Sequence, residues 1–166
     1  MTQPTPPARS PARFAVGQLT DDPQNRLAAG AALLGGAFAA LGTFLDWFTV
    51  AIGGVTAPGG TATGWEGRDG RTVLAAAVVC GVSSILVALG STKLAPKIAL
   101  IVAGRVTAVI ALAGILDTGG KDDAVQQEFA IPAERITAEV GPGLWLVVTA
   151  GVLEVAAGVA VRPPED

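Results

Sequence analysis

The sequence predicts an all-α membrane protein, a four-helix transmembrane bundle with two structured outer loops. Three observations carry that prediction. Of 166 residues, 51% are hydrophobic and only 15% charged, where soluble domains average about 25% charged. So few charges cannot cover a water-facing surface. Four apolar runs of 18 or 19 residues recur along the chain, close to the roughly 20 helical residues that cross a hydrocarbon core of about 30 Å. Residues that start or stop helices flank these runs.

In chain order, residues 1–26 hold Pro4, Pro6, Pro7, Pro11 and Pro23 with few large apolar side chains. Such a segment buries too little to offset its ordering entropy and reads as a disordered cytoplasmic tail, with residues 1–20 dispensable for folding. The transmembrane domain covers 27–161. Its first helix, about 27–47, contains the uncharged run Leu27 to Leu45. Ala37-Phe38-Ala39 looks like a signal-peptide cleavage pattern, but the apolar run continues past it, so the helix is read as retained.

Loop 46–71 carries β-branched residues on both sides of Gly53-Gly54, which predicts a small β-hairpin. The charges Glu66, Arg68 and Asp69 read as a solvated turn. Helix two spans about 72–90, with Gly90 placed as its C-cap. Helix three spans about 97–116, after Pro96. In loop 117–140, Val125, Phe129, Pro132, Ile136 and Val140 recur at three or four residues, predicting a short amphipathic helix, or two broken at Pro132. Val125, Phe129, Ile136 and Val140 then form a candidate partner surface. Helix four spans about 142–161. Pro142 opens it, where a missing N–H costs nothing, and Pro163-Pro164 stops it. Residues 162–166 form a short cytoplasmic tail.

Orientation follows from basic residues near the helix ends. Arg9, Arg13, Arg26, Lys93, Lys97 and Arg162 fall on one side; Arg68, Arg71, Lys121 and Arg135 fall on the other. The bias places both termini in the cytoplasm of a multi-pass plasma-membrane protein. Trp47, Trp65 and Trp145 all fall at the opposite ends of helices and read as an interfacial belt.

Two charges interrupt the apolar runs. Arg105 lies eight residues after Lys97, about 12 Å deep, and Glu154 seven residues before Val161, about 10 Å deep from the same side. The matched depth predicts a buried ion pair, with Ser83 or Ser84 completing a polar layer. Removal of one charge is then expected to hurt more than removal of both. A carboxylate held by an arginine stays ionised, and no His stands ready to continue a proton relay. The pair therefore reads first as a device fixing register, and second as a transport site. Ala28, Ala32, Gly36 and Ala40, with Ala31, Gly35 and Ala39 beside them, form small-residue ridges on helix one. Gly104 and Ala108 repeat the spacing on helix three, as do Ala150, Glu154 and Gly158 on helix four. Such ridges let membrane helices approach closely. Cys80 reads as a small core residue.

Composition excludes several functions. There is no His and one Cys, which removes the commonest general base and any thiolate cluster. The net charge of -3 argues against nucleic-acid binding. Gly119-Gly120-Lys121 lacks the spacing of a phosphate-binding loop. No cofactor, metal ion or catalytic residue is expected.

The layout of helix, Trp-bearing glycine-rich loop, helical hairpin, second loop and Gly143-Leu144-Trp145-Leu146 entering the last helix resembles a group of small four-helix membrane proteins from high-GC actinobacteria. The resemblance covers roughly residues 27–161. It implies the fold and a membrane location, and it carries no assigned chemistry. Claudins share the topology but have paired cysteines in the first outer loop, which has none here. Rotor-ring proteolipids carry a glutamate in a fourth helix, but their loops are short. The sequence thus leads to the expectation of a non-enzymatic accessory or scaffold subunit of a cell-envelope complex. The alternative is a small transporter or a lipid- or solute-binding protein using the Arg105/Glu154 layer. Expected partners are membrane lipids and another membrane protein or a second copy of the chain.

Overall fold

A computed structural model describes residues 22–91, 94–129, 132 and 135–162; of Pro58 and residues 119–129 it describes the backbone alone. Four helices, α1 (Pro23–Phe44), α2 (Arg68–Ala88), α3 (Leu94–Phe129) and α4 (Pro142–Ala160), form an up-down bundle. Each helix packs on the next in sequence, and α4 closes the ring against α1. All four contain a span long and apolar enough to cross a membrane. At one end sits a three-stranded antiparallel sheet of β1 (Asp46–Ile52), β2 (Val55–Thr63) and β3 (Ile136–Val140), in the order β2-β1-β3.

The helix ends follow local chemistry. Asp22 caps α1, its side chain accepting from the Gln24 N–H at 2.9 Å, and Pro23 takes the first turn. Pro23 to Arg26 are therefore helix, where the proline count predicted tail. This first turn also binds the far end of α4. Gln24 Nε2 donates to the Ala160 carbonyl at 3.0 Å, and the Arg162 N–H donates to Asn25 Oδ1 at 2.9 Å. Lys97 Nζ donates to the Val161 carbonyl at 2.9 Å, placing a cation at a helix C-terminus, where the dipole favours it. The rest of the expected tail, residues 1–21, and residues 163–166 lie outside the described residues. Gly90, at φ 80°, ends α2. Its N–H donates to Val87 O at 3.0 Å and the Ser91 N–H to Leu86 O at 2.9 Å, the paired bonds of a Schellman motif.

The first loop forms the expected hairpin. Gly53 and Gly54 both have positive φ, 62° and 83°, as a tight two-residue turn matched to strand twist requires. The strand begins at Asp46, so α1 stops at Phe44, and Trp47, expected as the last residue of helix 27–47, lies in β1. The second loop differs more. Among the described residues no separate amphipathic helix forms. Instead α3 runs on through Gly119-Gly120 to Phe129; glycine weakens a helix by about 1 kcal/mol but lacks proline's steric clash. Ile136 and Val140 then lie in β3, pairing with Ile52 and Phe48 of the central strand.

The bundle interior is built from small residues. Ala28, Ala32, Cys80 and Ala157 belong to one buried cluster and Ala39, Ala77, Ala111 and Ala150 to the other, nearer the sheet. Leu100, Leu144 and Val147 are buried among them, but many large apolar side chains point outward: Leu41 is 60% exposed, Val109 63% and Leu116 82%. A water-soluble bundle buries its large apolar groups. The inverted pattern suits a hydrocarbon solvent, where helices associate by close packing of small residues. The four candidate spans and this inversion together suggest a multi-pass membrane protein.

Candidate functional site

Glu154 occupies the centre of the bundle and is fully buried, one turn from Ala150 of one core cluster and from Ala157 of the other. The other three helices surround it. Gly35 of α1 and Gly104 of α3 make the room: a Cβ at Gly35 would lie 2.9 Å from Glu154 Cγ, and one at Gly104 would lie 2.8 Å from Glu154 Cβ. Cys80 of α2 and Thr107 of α3 lie beside the carboxyl. The thiol donates to the Ala32 carbonyl at 3.3 Å. Neither carboxyl oxygen, nor Thr107 Oγ1, has a hydrogen-bond partner among the described residues. Ser83 and Ser84 are buried as well, but Ser84 Oγ donates to the Cys80 carbonyl at 2.7 Å, within its own helix.

Arg105 does not join this layer. It is exposed on the outside of α3, and the expected ion pair with Glu154 is absent. The depth is as counted, since Gly104 lies directly against Glu154. The rotation differs: one residue along a helix turns the side chain by about 100°. Gly104 takes the inward position because two backbones meet there, which leaves Arg105 among Val102, Val106 and Val109 on the exposed face. Thr107, one turn from Gly104, is the inward polar residue that charge counting passed over. Its signal was a hydroxyl three residues from a glycine in an apolar run.

This geometry changes the expected mutant behaviour. Arg105→Leu, far from stranding a carboxylate, removes a charge whose burial in lipid costs roughly 2.5–3.5 kcal/mol on insertion scales. The purified variant should melt at or above the wild-type temperature. Glu154→Gln keeps the shape that fills the Gly35/Gly104 niche and should hold stability within about 1.5 kcal/mol, the usual limit for volume-conserving swaps. With no shared partner, the two changes should add within about 0.5 kcal/mol. Strong recovery in the double variant would restore the ion pair.

The tryptophans divide. Trp65 and Trp145 are 46% and 57% exposed, as belt residues would be, but Trp47 is 6% exposed. Its indole N–H donates to the Gly42 carbonyl at 2.9 Å, an acceptor freed near the end of α1. Burial needs such a partner for the ring nitrogen, so Trp47 belongs to the core. Trp65 stacks on Phe44 at 5.5 Å, with the Arg71 guanidinium 5.8 Å from its ring.

The candidate partner surface also dissolves in part. Ile136 is buried and Val140 half-buried, because β3 turns them toward the interior. The side chains of Val125 and Phe129 lie outside the described residues. Between sheet and bundle is a cavity of about 670 Å³, lined by Trp47, Phe48 and Leu144 and by the acids Glu66, Asp69 and Asp117. Glu66 also accepts the Thr63 N–H at 3.1 Å, a bond that fixes the turn into α2. No protein-family model matches this chain, and no curated protein matches it.

Proposed function

We propose that this chain is a non-enzymatic accessory subunit of a cell-envelope membrane complex, held in place by lateral helix contacts. The observation that supports this is Arg105. Ile98, Val102, Val109, Leu112 and Leu116 are exposed along one face of α3, spaced as the seam of a helix–helix contact, and Arg105 stands in their middle. Charged residues within a membrane span normally face a bundle interior or a partner. Extraction into polymer-bounded native lipid discs tests the reading. The wild-type particle should contain a second protein in fixed ratio, and Arg105→Leu should release the chain alone. A wild-type chain found alone in its disc would sink it.

The proposed setting is the plasma membrane with both termini cytoplasmic. A cysteine at Thr61, exposed in β2, should react with an impermeant thiol reagent in intact cells, and one at Ser10 should not; Cys80 is fully buried and stays silent. The opposite labelling pattern would invert the orientation. A second reading, a small transporter or solute-binding protein, draws on the unpartnered Glu154 carboxyl. A Glu154→Gln variant that keeps its fold but loses a cellular phenotype would favour it.

A further inference from the structure

We propose that the groove between α2 and α3 receives a transmembrane helix of a second membrane protein, one that carries an aspartate or glutamate at the depth of Arg105. This rests on the subunit reading above and adds the chemistry of the partner. The groove holds about 660 Å³, with Ala76, Ala99 and Ala103 as floor and Val79, Val102 and Val106 as walls. Alanines four residues apart admit a helix backbone closely. Arg105 does not line the groove; it is exposed on α3 about 60° around the helix from the wall residue Val102, at 100° per residue.

Depth selects the partner's chemistry. The α3 span runs from Leu94 to Thr118; at 1.5 Å per residue Arg105 is about 12 Å from Lys97, the charge near one end, and about 20 Å from Thr118 at the other. From that depth the side chain meets lipid phosphate only if the bilayer thins around it, which costs free energy that a carboxylate at the same level would spare. A guanidinium presents five donors that a carboxylate matches two at a time, and hydrocarbon offers none of the competing acceptors. A second copy of this chain lacks the acid. Among the described residues of the four spans, the acids besides the buried Glu154 are Asp69 and Asp117, each next to a span's end at the sheet side. A two-fold pair through this face would set Arg105 against Arg105.

Site-specific photocrosslinking of the full-length chain in its native membranes tests the proposal. Benzoyl-phenylalanine is placed at Val79 or Val102 in the groove, and at Val152 on the exposed face of α4 as a control. The groove positions should yield an adduct whose sequenced peptide is a membrane span with Asp or Glu in its middle third. Val152 should not. Arg105→Leu should cut the yield by at least about tenfold, the measure of a lost charge-assisted pair, while Arg105→Lys retains part of it. An unchanged melting temperature in purified Arg105→Leu separates loss of partner from loss of fold. An adduct to a span without an acid overturns this proposal and leaves the subunit reading standing. An adduct to a second copy overturns the acidic-partner proposal. Adducts to lipid alone overturn both.

Discussion

Replacing Gly151 with leucine should separate α3 from α4 and cost the bundle about 3 kcal/mol or more, the upper range for overpacking. A Cβ at Gly151 would stand 2.8 Å from the Ala108 nitrogen and 2.8 Å from the Gly104 carbonyl oxygen. Both are backbone atoms in a helix, so no side chain can rotate away and the helices themselves must part. The contact is reciprocal, because a Cβ at Gly104 would stand 2.9 Å from the Gly151 carbonyl oxygen. The crossing is thus glycine against glycine. It also sets the niche of Glu154, one turn along α4. Parting the helices forfeits the dispersion contacts that hold membrane helices together in place of a hydrophobic drive. Gly30 provides the control, since a Cβ there meets nothing within 4 Å. Gly30 is exposed, and Gly30→Leu should fall within about 0.5 kcal/mol of wild type, as surface changes do. Thermal unfolding in one detergent reads both. Equal melting of Gly151→Leu and Gly30→Leu would mean the helices do not cross at this glycine.

That crossing shows what the sequence could tell and where it stopped. Run length announced four helices because a bilayer-spanning helix has a nearly fixed length. The hairpin was legible because two glycines in a row suit a turn in which both residues have positive φ. Depth was legible too: counting from Lys97 and Val161 placed Arg105 and Glu154 at one level, and Gly104 does abut Glu154. Rotation was not. Adjacent residues face directions about 100° apart, and a rule that pairs opposite charges chose Arg105 over its glycine neighbour. Only the packing of α4 decides between them. Ile136 and Val140 failed for a related reason. A spacing of four lies close to one helical turn and is also two strand repeats, so it cannot separate helix from strand. Their alternation with the exposed Thr137 and Glu139 does. Pro23 was counted as tail by composition, whereas its position after Asp22 marks a helix start.

Truncating Trp47 to alanine should loosen the sheet from the bundle, at about 3–5 kcal/mol for a large buried aromatic. The ring is held on three sides by glycines. Gly42 supplies the carbonyl for its N–H, Gly64 follows β2 against its six-membered ring, and Gly143 opens α4 so closely that a Cβ there would stand 2.8 Å from Trp47 Cδ1. Trp47 belongs to the central strand, so it joins β1 to both α1 and α4. Its loss should show first in amide exchange: β1 and β3 exchange faster while the interior of α3 stays protected. Trp47→Phe refills part of the space but leaves the Gly42 carbonyl without its donor, and should cost about 1–3 kcal/mol, the range for a stranded buried acceptor. Trp65→Ala and Trp145→Ala remove half-exposed rings and should cost less than Trp47→Ala. The ranking separates two roles that one residue type can hold at a membrane boundary. If all three alanine variants lose the same small amount, Trp47 is an interfacial anchor like the other two, and something else joins the sheet to the helices.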